Sequence, residues 1–164
     1  MIVGVTGHRP DKLWGYGDNA RPHEEKLEAY LKGKLIELGA TEAVTGMALG
    51  VDTVFARAAI SLKDSGYSIK LTCAIPCRNQ TAKWFNKKHI DEYNYILSRA
   101  DNIVLVSDCE YNSTVMQKRN EWMVDYSDVM IAVWDGSKGG TGNCVRYVKS
   151  KNKPIIEIRP FMFN

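Results

Sequence analysis

The stretch Val44-Thr45-Gly46-Met47-Ala48-Leu49-Gly50-Val51-Asp52 decides how this chain is read. Its apolar start predicts a short buried strand that stops at Gly46. Ala48-Leu49-Gly50 then predicts a turn into a helix. Glycine at such a junction takes φ values closed to other residues and lets the backbone approach a ligand. The helix beginning there presents unpaired N–H groups and the positive end of its dipole, which suits an anion such as phosphate. The same design recurs at Trp134-Asp135-Gly136-Ser137-Lys138-Gly139-Gly140-Thr141-Gly142-Asn143. Two strand–glycine loop–helix junctions in one small chain point to a nucleotide-type ligand.

Working outward, apolar runs predict strands at Ile2–Thr6, Ala43–Thr45, Ile69–Ile75, Ile103–Ser107, Val129–Trp134 and Ile155–Ile158. They are short and mostly apolar, as strands buried on both faces are. Helical patterns separate them at Glu24–Leu38, Thr53–Lys63, Thr81–Arg99, Val115–Tyr126 and Cys144–Lys151. Leu27, Leu31, Leu35 and Leu38 line one side of the first, and Gly39 is its expected stop. Strands alternating with helices of this length indicate βαβ units, right-handed crossovers and a parallel sheet with helix layers on both sides. No repeat or linker divides residues 1–164, so one α/β domain is expected. The longest irregular piece is Gly7–Pro22, and loops of that length are usually functional.

The 164 residues are 45% apolar and 25% charged, with a net charge of +3. That is ordinary globular composition, long enough for a substantial core and without the dense basic tract of a nucleic-acid binder. No apolar run reaches the roughly 18 residues of a membrane span. The start of the chain has no signal-peptide pattern. Cys73, Cys77, Cys109 and Cys144 match neither a disulfide framework nor a zinc ribbon, so reduced thiols, a cytoplasmic location and no bound metal are expected.

Ligands of an open parallel sheet sit at the carboxyl ends of its strands. Four segments would converge there: Thr6-Gly7-His8-Arg9-Pro10, Gly46–Asp52, Pro76–Arg78 and Asp135–Asn143. Any such fold has polar loops at that edge. The repeated glycine at helix starts, where an ordinary cap would be Ser, Thr, Asp or Asn, favours a pocket.

Thr45-Gly46-Met47-Ala48-Leu49-Gly50-Val51-Asp52 resembles the small-Gly-x-Ala-x-Gly-[Ile/Val]-Asp signature of the SLOG superfamily. That superfamily includes the DNA-processing protein DprA, the LOG phosphoribohydrolases and YpsA-like proteins. Thr6–Pro10, Met116–Met123, and Ala132–Gly136 with Gly139-Gly140-Thr141 are most similar to the YpsA-like branch. The resemblance implies a Rossmann-like domain that binds a nucleotide or nucleotide-derived ligand. It fixes no reaction, since members include hydrolases, sensors and DNA binders.

The LOG proteins carry a Met-x-x-Arg-x-x-x-Met helix and a Gly-Gly-x-Gly-Thr-x-x-Glu loop. Met116, Arg119 and Met123 match the first. Their spacing puts them on one helical face, so Arg119 is either a pocket group or a surface arginine above core methionines. Gly139, Gly140 and Gly142 match the second, but the threonine position holds Asn143 and the catalytic glutamate position holds Arg146. A cation there cannot handle a proton or stabilise an oxocarbenium-like sugar, which argues against phosphoribohydrolase chemistry.

The expected site is therefore a binding site. Gly139, Gly140, Thr141 and Gly142 would wrap a phosphate with backbone amides, with Thr141 or Asn143 adding a side-chain bond. Gly46 and Gly50 would admit a ribose or second phosphate beside Ala48. Arg119 would pair with phosphate, and Asn120 with a ribose hydroxyl or base edge. Asp52 either accepts from a sugar hydroxyl or only stabilises its helix; with Arg119 it is the candidate catalytic group. Gly7, His8 and Arg9 on the first loop and Asp135 after the fifth strand complete the candidates. Trp14 and Tyr16 would stack on a base or cover the core.

Three functions are compatible. The leading one is binding of a nucleoside phosphate or ADP-ribose-like molecule by a sensor, sequestering or accessory protein, with no cofactor. The second is an N-glycosidic hydrolase or transferase. The third, single-stranded DNA binding as in DprA, is disfavoured by the missing basic tract. A homodimer is expected by resemblance alone.

Overall fold

A computed structural model describes residues 1–164. Strands and helices alternate as β1 (Ile2–Gly7), α1 (Arg21–Glu37), β2 (Glu42–Thr45), α2 (Val51–Asp64), β3 (Lys70–Ile75) and α3 (Lys87–Arg99). The chain continues as β4 (Asn102–Leu105), α4 (Ser113–Tyr126), β5 (Val129–Val133), α5 (Gly140–Ser150) and β6 (Ile155–Ile158). All six strands are parallel, in the order β4-β3-β2-β1-β5-β6. The chain steps outward from β1 to β4, then crosses back through α4 to lay β5 on the free side of β1. With right-handed crossovers that reversal moves the helices to the other face. So α1, α2 and α3 cover one side, and α4 and α5 the other. This is the Rossmann-like α/β architecture.

The main core lies under α1 and α2. Leu27, Leu31 and Leu35 recur every fourth residue of α1 and are all buried. Gly39, at φ +62°, ends that helix: its amide bonds to Ile36 O and the Ala40 amide to Leu35 O, satisfying carbonyls that the helix leaves open. Ten of the 14 residues of α2 are buried. Ala56, Ala58 and Ala59 are small enough to let it press onto the centre of the sheet.

Two expectations change. The inner strands are buried, but β4 is an edge strand, with Ile103 54% and Leu105 46% exposed. The third helix begins at Lys87 instead of Thr81. Asn86 takes an extended conformation and its side chain accepts the Lys88 amide at 2.9 Å, which caps the helix there. Upstream, residues 79–84 form two turns, closed by Ala82 N to Asn79 O and Trp84 N to Thr81 O.

Candidate functional site

The strand order reverses between β1 and β5, so the ligand crevice of this sheet opens beyond their carboxyl ends. A side-chain tie spans it. His8 Nε2 lies 2.8 Å from Asp135 Oδ1 and 3.2 Å from the Asp135 amide. His8 is buried and Asp135 half-exposed. Hydrogen bonds from Ser137, and then from His8, hold the Asp135 carboxyl well below the usual carboxylate range.

A cavity of about 220 Å³ opens beside this tie. Of the residues expected from sequence, Gly7, His8, Arg9, Ala48, Asp52, Arg119, Asn120, Gly139, Gly140, Thr141 and Gly142 line it. Gly46, Gly50, Asp135 and Asn143 do not. Four cations stand around the cavity, Arg9, Lys12, Arg119 and Lys138, against two acids, Asp11 and Asp52. Lys12 and Lys138 carry no local pattern that separates them from solvated lysines. Only the fold brings Lys12 Nζ to Ser137 Oγ (3.3 Å) and the Lys138 carbonyl (3.2 Å).

The start of α2 is filled by the protein itself. Gly50 sits at φ +92°, and a Cβ there would collide with the His8 carbonyl oxygen, which accepts the Val51 amide at 3.2 Å. A Cβ at Gly46 would lie 2.5 Å from the Arg119 guanidinium carbon. These glycines make room for neighbouring parts of the chain, and neither lines the cavity. The Asp52 carboxylate accepts the Ala48 amide at 3.2 Å, so α2 carries its own anion. Met47, buried at φ +62°, is the strained residue of this turn.

Arg119 is buried above that turn. Its Nη1 donates to the Gly46 carbonyl and its Nε to Asn120 Oδ1 at 2.9 Å. Gln80 Nε2 donates to the same carbonyl at 2.9 Å. Burial pulls the Arg119 pKa below its ordinary value while Asp52 opposes the shift. Burial likewise lifts the Asp52 carboxyl, opposed by Arg119 and the Ala48 amide. The two groups compensate each other, and both line the cavity.

The start of α5 is open. Gly139 turns at φ +144°, and Asn143 N to Gly139 O (2.9 Å) is the first bond of the helix. The amides of Gly140, Thr141 and Gly142 donate to no protein acceptor. A Cβ on Gly140 would touch nothing, whereas one on Gly142 would lie 2.8 Å from Ser137 O. Asn143 and Arg146 are exposed outside the cavity, where the Arg146 guanidinium donates to Asn143 Oδ1.

A second cavity, about 210 Å³, adjoins the first and shares Arg9, Ala48 and Met116 with it. Tyr16, Trp84 and Tyr111 wall it, and Phe85, 88% exposed, stands at its rim. Sequence reasoning placed Trp84 and Phe85 inside a helix and missed this cavity. Trp14 lies elsewhere: it stacks on His23 with centroids 5.4 Å apart, and its indole donates to Asn164 Oδ1 at 2.8 Å.

The sequence profile described as the YspA SLOG family matches residues 3–158. The chain belongs to this family. It is 33% identical over 137 residues to the SPbeta prophage-derived protein YoqJ of Bacillus subtilis, covering 77% of this chain and 80% of that protein. It is 28% identical over 160 residues to a UPF0398 protein of Bacillus cereus, covering 95% and 85%. Among solved structures, DNA processing protein A from Helicobacter pylori, studied for its single-stranded DNA binding mode, superposes with a TM-score of 0.64 at 20% identity. DprA from Streptococcus pneumoniae superposes with a TM-score of 0.60 at 16% identity. The two alignments cover 96% and 94% of this chain, but only 64% and 49% of those proteins. At such identities the likeness is one of fold. No helix of the chain is long and apolar enough to cross a membrane.

Proposed function

We propose that this chain binds a nucleotide or nucleotide-derived small molecule, such as a nucleoside phosphate or an ADP-ribose-like compound, and acts as a sensor, sequestering or accessory protein. One observation carries the reading. Three amides at the start of α5 have no protein acceptor and open into a cavity ringed by Arg9, Lys12, Arg119 and Lys138. Unpaired amides, a helix dipole and excess positive charge together suit a phosphate.

Binding fits these residues better than glycosidic hydrolysis. Arg146, at the position of the LOG glutamate, does not line the cavity and donates to Asn143 instead. Asp52, the buried acid of the wall, is held by the Ala48 amide and compensated by Arg119. Glu121 accepts from Gln117 at 3.0 Å and lies outside the cavity. The DprA-like fold keeps single-stranded DNA as the competing ligand.

Mass spectrometry of small molecules released from the purified, denatured protein is expected to find a phosphorylated nucleoside derivative. In calorimetric titrations with AMP, GMP and ADP-ribose, Gly140→Asp should lower affinity at least tenfold while the circular dichroism spectrum stays unchanged. A Cβ at 140 meets open space, so the substitution leaves the fold undisturbed while adding a negative charge beside the unpaired amides. Unchanged nucleotide affinity in folded Gly140→Asp overturns the reading. Tight binding of an oligothymidylate that mononucleotides do not displace transfers it to single-stranded DNA.

A further inference from the structure

The cavity walled by Tyr16, Trp84 and Tyr111 lies beside the phosphate position and contains none of the amides at the start of α5. We propose that it is the stacking subsite for the base of the nucleotide whose phosphate rests at the start of α5, with Phe85 as its cover. This rests on the phosphate reading and adds the place of the base, which sets a nucleoside phosphate apart from a sugar phosphate or an inorganic anion.

The two cavities are neighbours of opposite chemistry. One is rimmed by cations and glycine amides; the other is walled by aromatic rings. Arg9, Ala48 and Met116 border both, so the two cavities adjoin. Each is about 200 Å³, and only joined do they reach the roughly 300–1,000 Å³ of ordinary small-molecule sites. A ligand that is anionic at one end and flat and apolar at the other matches the pair.

The rings are held ready. Trp84 packs edge-on against Tyr93 with centroids 5.3 Å apart, and the Tyr93 hydroxyl donates to Gln80 Oε1 at 3.0 Å. Gln80 is the residue that also grips the Gly46 carbonyl under Arg119, so the aromatic wall and the cationic cavity share one brace. Lys83 Nζ lies 5.7 Å from the centre of the Tyr111 ring.

The polar groups of this cavity are oriented as well. The Asn79 side-chain oxygen accepts the Tyr111 amide at 2.8 Å, and that of Asn86 accepts the Lys88 amide at 2.9 Å. Each bond fixes which way its amide points, leaving both NH₂ groups without a protein acceptor as donors to the edge of a base. Phe85 is almost wholly in water, on a segment held by two turns. Turning it onto a bound base would bury apolar surface that the free protein leaves exposed.

The test is calorimetric titration of the wild-type chain, Phe85→Ala, Tyr111→Ala and Gly140→Asp with GMP, AMP, ribose 5-phosphate and inorganic phosphate. Phe85→Ala and Tyr111→Ala should each weaken GMP and AMP about tenfold, the size expected for removing one base–aromatic stack, and leave ribose 5-phosphate unchanged. Gly140→Asp should weaken every probe. Quenching of Trp84 fluorescence by GMP, lost in Trp84→Phe, is the optical counterpart. Ribose 5-phosphate binding the wild-type chain as tightly as GMP, or GMP affinity unchanged in both aromatic variants, overturns the base subsite and leaves the phosphate site standing. Failure of every probe to bind the wild-type chain overturns both.

Discussion

The two glycine-marked helix entrances read alike in the sequence and are used differently in the fold. At the start of α2 the first turn is buried, and Asp52 supplies the negative charge that the dipole favours. Gly46 makes room for Arg119, and Gly50 for the His8 carbonyl. At the start of α5 no acid stands in the first turn, three amides are unpaired, and Gly140 faces open space. Glycine thus marks a close approach without saying what approaches. The second helical residue is the better guide: Asp52 fills α2, whereas Thr141 leaves α5 open.

The largest expected effect falls on the filled entrance. Arg119→Leu removes the buried cation that offsets the Asp52 charge, together with its bonds to Gly46 O and Asn120, and should cost about 3–5 kcal/mol in urea unfolding at pH 7. Its pH dependence has a definite sign. The native Asp52 pKa is raised, so its uncompensated charge penalises the fold above that value and stops doing so as pH falls below the unfolded value near ~3.9. The stability gap between Arg119→Leu and the wild-type chain should therefore narrow from pH 7 to pH 4. A constant gap would mean that lost packing, not the unpaired charge, causes the loss.

Gly50→Ala should come next, destabilising the chain by about 2–3 kcal/mol through its positive φ and the His8 clash, read as a fall in thermal midpoint. Gly140→Ala is the matched control at the open entrance. It should be neutral, or stabilising by about 0.4–1 kcal/mol, because its Cβ meets nothing. Equal losses at the two positions would break the distinction between them.

A loss of similarly small size concerns the tie across the crevice. Asp135→Asn removes a carboxylate whose pKa is depressed, so its contribution is present above the unfolded value near ~3.9 and fades as pH falls toward the native one. For so exposed a group the loss at pH 7 should stay below about 1 kcal/mol. Denaturant midpoints of variant and wild type should converge in acid; a difference that widens there would contradict the assignment.

Much of the fold was legible because it rests on local signals. Apolar runs marked six strands, leucines every fourth residue marked α1, and glycine-rich turns marked the starts of α2 and α5. Arg119 was legible as a candidate through the methionines beside it, but not its burial or its grip on Gly46 O, 73 residues away in the chain. The region from Thr81 to Asn86 read as helix because its residues have no strong breaker. Asn86 caps α3 instead, and that leaves Phe85 at a cavity rim. Lys12 was not legible at all, since its contacts lie 125 and 126 residues ahead of it.

Taken alone, the order of residues determined the parallel α/β architecture and the family. The architecture follows from periodicity and backbone freedom, which neighbouring residues settle among themselves; the family follows from the resemblance of its motifs. Only the tertiary structure decided that α2 is closed by Asp52 and Arg119, that α5 is open, and that an aromatic cavity lies beside it. Those outcomes depend on which distant atoms fill each helix start, and that is set by packing across the sheet.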